Sequence, residues 1–157
     1  MGPILFISTM FYCLKSPVIV KYKYKEYYSM RKATTEWLKQ AEYDFETAQA
    51  MFQAGRYIYT FFMCHLAVEK VLKAAVVEQT GDIPPKTHNL IILLKTVQLD
   101  LPEEQLDHIA SLNAMSVTTR YPEDLSKALE NLSSDIANVF LNKTREVLQC
   151  LRQKLTP

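Results

Sequence analysis

Apolar side chains recur with the period of an α-helix from about Thr35 onward. Trp37, Ala41, Phe45, Ala48 and Phe52 follow at steps of four, four, three and four, which places them on one helical face. Thr34 or Thr35 can cap the start of this helix, and Gly55 suits the left-handed position just past its end. A second helix is predicted from about Tyr57 to Thr80, with Ile58, Phe61, Phe62, His65, Val68, Leu72 and Val76 as a broad apolar stripe. Gly81 closes it, and Asp82-Ile83-Pro84-Pro85 cannot continue a helix.

Thr87 is expected to cap a short third helix that ends near Thr96. Pro102 fits the first turn of a fourth, with Glu103 and Glu104 at its positive end, and this helix should reach about Met115 or Ser116. Pro122 disfavours helical geometry at Tyr121, so Thr118 to Glu123 reads as a loop. A short turn around Leu125 to Leu129 precedes a last helix starting at Ser133 or Ser134. Ile136, Val139, Phe140, Val147, Leu148 and Leu151 are its expected buried face. Three long and two shorter helices on short loops predict one all-α domain, an antiparallel up-and-down helical bundle of about five helices. No strand-like alternation competes with it, and no internal repeat or low-complexity stretch occurs.

A chain of 157 residues can bury about two thirds of its unfolded surface. It therefore needs neither a disulfide nor a metal to fold. With 18 Lys+Arg against 17 Asp+Glu, nothing points to a general nucleic-acid coat or an acidic tail. Only three glycines are present, and neither GxGxxG nor GxxxxGK[ST] occurs, which removes Gly-rich phosphate loops. Cys13, Cys64 and Cys150 lie far apart with no CxxC, as expected of reduced structural thiols in a cytoplasmic protein. His65, His88 and His108 are isolated from one another and from any HExxH pattern. Neither a metal nor another cofactor is implied.

The first thirty residues differ in character. Residues 3 to 20 are apolar but broken by Pro3, Lys15 and Pro17, too short a run for a transmembrane helix. Lys21, Lys23 and Lys25 follow the apolar stretch instead of preceding it, which is wrong for a signal peptide. Tyr22, Tyr24, Tyr27 and Tyr28 interleave with these lysines, a pattern also seen in membrane-surface and nucleic-acid patches. The preferred expectation is that residues 1–29 are an extension, non-native or from a misassigned start, and that residues 30–157 are the helical domain. A weakly ordered tail packed on the domain is the alternative.

Three stretches, in order, carry a resemblance: Trp37-Leu38-Lys39-Gln40-Ala41-Glu42-Tyr43-Asp44; His65-Leu66-Ala67-Val68-Glu69-Lys70-Val71-Leu72-Lys73-Ala74; and the loop pair Pro85-Lys86-Thr87-His88-Asn89-Leu90 and Thr119-Arg120-Tyr121-Pro122. Together they resemble the HEPN domain family, the higher eukaryotes and prokaryotes nucleotide-binding domain, over roughly residues 35 to 153. The resemblance implies a five-helix bundle that commonly dimerises. It also implies a separate small nucleotidyltransferase chain as partner, often in a toxin–antitoxin-like pair. Some members are metal-independent ribonucleases with an Arg followed four to six residues later by a His. None of Arg31, Arg56, Arg120, Arg145 and Arg152 has a His at that spacing, so the ribonuclease motif is absent. Leu66 stands where relatives commonly carry Gln.

Within this frame the nucleotide-binding candidates are Lys70, Lys73, Lys86, His88, Arg120 and Tyr121. Glu69 and Lys73 have the i,i+4 spacing of a surface ion pair worth a few tenths of a kcal/mol, about 0.3. Alternatively Lys70 or Lys73 faces a groove and meets phosphate as a point charge. His88 either packs over the bundle against a loop carbonyl or, with Lys86, receives an anion at a helix start. Arg120 and Tyr121 either grip a phosphate and stack on a base, or pair with Glu123 or Asp124 and plug the bundle end. If chemistry is present, His88 and Arg120 are the catalytic candidates, one as acid or base and the other stabilising a pentacovalent phosphate. The leading expectation is a HEPN-type binding module, with a degenerate ribonuclease toxin and a purely structural bundle as alternatives.

Overall fold

The structure, a computed structural model, describes residues 30–120, 125–130 and 132–155. Residues 1–29 therefore lie outside the described residues. Six helices are found among those described: α1 (Lys32–Gln53), α2 (Tyr57–Thr80), α3 (Leu90–Thr96), α4 (Glu103–Arg120), α5 (Leu125–Glu130) and α6 (Ser134–Leu155). The all-α antiparallel bundle expected from the sequence is what the chain forms.

The α1–α2 hairpin is its backbone. Gly55 takes φ +69° after α1. Its N–H reaches the Phe52 carbonyl at 3.0 Å, while the Arg56 N–H reaches Met51 at 2.8 Å, a Schellman closure that satisfies two end carbonyls. The two helices then run antiparallel, since Asp44 pairs with Lys70 near mid-length and Thr34 with Glu78 at the far end. No side chain of its own caps α1. Glu78 of α2 does so instead, accepting the Thr34 hydroxyl and, at 3.1 Å, the Arg31 N–H. The expected caps are thus replaced, and α1 begins three residues before Thr35.

Helix α2 is the centre of the bundle. Its buried residues include Phe61, Cys64, Ala67, Val68, Val71, Leu72 and Ala74 to Val77, positions that occupy every side of the helix. Helix α6 runs alongside it in the same direction, antiparallel to α1, where Arg145 meets Phe45 and Arg152 meets Glu42, and Phe140 stands against Phe61 at 4.8 Å between ring centroids. The face it buries is rotated from the one expected. Ala137, Leu141 and Thr144 join Val147, Leu148 and Leu151 inside, whereas Ile136 and Val139 are 43% and 51% exposed.

Two boundaries also differ. Asn89, not Thr87, caps α3, accepting from the N–H groups of Ile91 and Ile92 at 3.0 and 3.1 Å. Helix α4 is described through Arg120, past the expected end near Ser116. Where a short turn was expected, α5 is a six-residue helix.

Candidate functional site

The ion pair expected at the surface is buried. Glu69 is 1% exposed, and Lys73 Nζ lies 2.8 Å from its Oε1. The ammonium also stands 5.4 Å from the centroid of the Trp37 ring on α1, a cation–π contact. The second carboxylate oxygen is taken by His88, whose Nδ1 lies 3.0 Å from Glu69 Oε2. Burial works against the charged form of Glu69, yet the hydrogen bonds and charges of Lys73 and His88 outweigh it and hold its carboxyl below the usual range.

His88 differs from the two residues beneath it because its side chain is 66% exposed. A carboxylate accepts only, so the ring hydrogen belongs on Nδ1 and Nε2 is the nitrogen left for an outside partner. The connection between α2 and α3 sets this geometry. Thr87 Oγ1 accepts the Asn89 N–H at 3.1 Å, turning the chain into the α3 cap, and Leu90 N–H donates to Asn113 Oδ1 of α4 at 2.8 Å. His88 is held between these anchors, over the middle of α2. It binds a carboxylate of the bundle, not the loop carbonyl considered above.

Lys86, two residues earlier, is exposed. Lys70 faces α1 and pairs with Asp44 at 3.2 Å, the two side chains 20% and 15% exposed. Lys70 and Lys73 therefore each stand against a carboxylate. The structure brings Glu69, Lys73 and His88 together and places Lys70 on the α1 side of the same helix. Arg120 lies in the last turn of α4 and not in a loop; its side chain and all of Tyr121 fall outside the described residues. Along α4, Arg120 is about 10 Å beyond Asn113 by helical rise.

Sequence reasoning missed the role of Glu69. The signal was present, because apolar residues at 67, 68, 71, 72 and 74 to 77 leave α2 without a polar face. An acid and a base four apart inside such a run are well placed to be buried together, and buried charges are paired. Among the described residues no group of three or more His, Cys, Asp and Glu could hold a metal ion, and no helix is long and apolar enough to cross a membrane.

The profile of the HEPN domain family matches residues 34–154. This chain belongs to the HEPN family. Two solved structures share its fold. One is TT1696 from Thermus thermophilus, with a TM-score of 0.70 and 23% identity over 79% of this chain and 99% of that one. The other is ST0689, described as an archaeal HEPN homologue, with a TM-score of 0.63 and 22% identity over 80% of this chain and 100% of that one. At those identities the likeness speaks for the fold alone. No curated protein matches the sequence. Within this HEPN domain the matched span covers Glu69, Lys73 and His88 and extends through Arg120.

Proposed function

We propose that this HEPN domain is a binding module, receiving the phosphates of a nucleotide or polynucleotide through Lys86, His88 and Arg120, with Tyr121 available to stack on a base. Catalysis is left to a separate small nucleotidyltransferase chain, the two forming a toxin–antitoxin-like pair in the cytoplasm, and the module itself is a homodimer. The observation that carries this reading is the two-thirds exposed His88 ring tied to a carboxylate that is 1% exposed. A buried charge oriented towards a surface imidazole has little value to the core and fixes the ring for an outside partner. Lys73 serves this site from below by balancing Glu69, and Lys70 is a secondary contact because Asp44 already neutralises it.

A second reading has one observation in its favour. A carboxylate-oriented imidazole is also the arrangement of a general base, so a degenerate ribonuclease using His88 with Arg120 is the alternative. One experiment addresses the leading reading. The full chain, tagged and recovered from its native cells, is expected to carry a small nucleotidyltransferase in stoichiometric amount by mass spectrometry. The purified chain is expected to bind ATP, GTP or RNA without consuming it. Recovery of the chain alone, with no nucleotide binding, defeats the proposal; metal-free RNA cleavage lost in His88→Gln establishes the alternative.

A further inference from the structure

We propose that Glu69 is a positioning residue for His88: it fixes the ring hydrogen on Nδ1 and turns Nε2 outward as an acceptor, so that a phosphate engages this ring only together with a proton. The hydrogen placement rests on geometry alone. The consequence for phosphate rests on the binding reading above.

The polarity of the chain Lys73–Glu69–His88 runs one way. Lys73 has donors only, and it occupies Oε1 at 2.8 Å. Oε2 faces His88 Nδ1 at 3.0 Å, and an ionised carboxylate has no hydrogen to give. The hydrogen of a neutral ring must therefore sit on Nδ1. Nε2 then presents a lone pair, which repels a phosphate oxygen and accepts a proton or an O–H group. Once protonated, the ring donates from both nitrogens, one to Glu69 and one to the phosphate.

Among the described residues, the charged groups that bear on the ring come from α2 and from its own loop. From α2, Glu69 touches it directly and Lys73 acts through Glu69. Lys70 is matched by Asp44 of α1. From the loop itself, Lys86 lies two residues before the ring. Glu69 and Lys73 cancel as a pair, so the ring itself supplies the charge that changes.

Glu69→Gln reverses the polarity. The amide oxygen must face Lys73, which can only donate, and the amide N–H2 then faces His88. Nδ1 becomes the acceptor and the ring hydrogen moves to Nε2, ready for phosphate without proton uptake.

Two measurements on the full chain test this. Long-range 1H–15N spectra of the ligand-free protein are expected to place the hydrogen of neutral His88 on Nδ1, and on Nε2 in Glu69→Gln. Titration calorimetry with an oligoadenylate lacking terminal phosphates, in buffers of different ionisation enthalpy, is expected to give net proton uptake on binding. That uptake should fall to near zero in Glu69→Gln and in His88→Gln. A hydrogen on Nε2 in the wild-type ring overturns the proposal, and this needs no variant to fold. Equal proton uptake by wild type and Glu69→Gln overturns it as well. Absence of oligonucleotide binding with the wild-type hydrogen on Nδ1 counts against the phosphate reading alone and upholds the positioning role.

Discussion

His108 of α4 and Thr144 of α6 meet inside the bundle, Nε2 to Oγ1 at 2.9 Å, with Phe140 tilted against the imidazole at 5.1 Å between centroids. Burial above all, and then the nearby Lys143 charge, push the His108 pKa down to about 4, against the opposing pull of Glu104. The folded pKa is thus below the unfolded value. The stability this site contributes is intact above pH ~6.5 and is lost as pH falls through about 4. The shift corresponds to about 3 kcal/mol at the acid limit. Urea unfolding between pH 7 and 4.5 is expected to show a decline that His108→Gln largely removes. Below that window, carboxyls held low in the fold, Glu69 among them, add their own acid sensitivity. An unchanged slope in the variant would assign the decline to other groups.

The buried pair at the candidate site predicts strong non-additivity. Lys73→Met leaves Glu69 inside with only His88 beside it, and a stranded buried charge costs about 3–5 kcal/mol. Glu69→Leu strands the ammonium in turn, at a comparable cost. The double variant removes both charges and keeps apolar volume next to Trp37, so it should lose far less than the sum of the singles. Chemical denaturation of all four proteins measures the cycle. Additive losses would mean that the ammonium and carboxylate act independently despite their 2.8 Å separation.

What could be read from the chain follows from how local each signal is. Gly55 and Gly81 mark the ends of α1 and α2 because both need a positive φ, a property of the residue itself. The bounds of α2 were legible for that reason. The face of α6 was not, since Ile136, Ala137, Val139, Phe140 and Leu141 put apolar groups on all sides of its first turns. Only the neighbouring helix decides among them, and it selected Ala137 and Leu141. Thr87 and Asn89 are both competent caps two residues apart, and the turn preceding them chose the second. Glu69 and His88 lie 19 residues apart, and no periodic pattern links a helix interior to a loop that folds back over it. The residue types of the site were visible in the sequence; their pairing required the fold.

Glu78 supplies a long-range cap, and its removal should be felt at the start of α1. Thr34 is 0% exposed and its hydroxyl donates to that carboxylate, which also takes the Arg31 N–H at 3.1 Å. Glu78→Ala removes an acceptor from a buried donor and from a helix end together, costing about 1–3 kcal/mol. Amide exchange at the first turn of α1 should accelerate in this variant more than exchange in the centre of α2. Uniform acceleration along both helices would show that the start of α1 does not open independently of the core.

His88 separates binding from stability. Its ring is 66% exposed and rests on a carboxylate that Lys73 still partners when the ring is gone. His88→Gln should therefore change the unfolding free energy by less than about 1 kcal/mol, a small effect for a largely exposed position. Loss of a charge-assisted contact to phosphate should weaken nucleotide or RNA binding roughly tenfold, the equivalent of about 1.4 kcal/mol. Melting curves and equilibrium titrations on the same preparation provide the two numbers. Large destabilisation with unchanged affinity would make His88 a structural prop for Glu69. Unchanged stability with weakened binding would mean that the buried Lys73–Glu69 pair exists to present this ring, and that the module meets its ligand over the middle of α2.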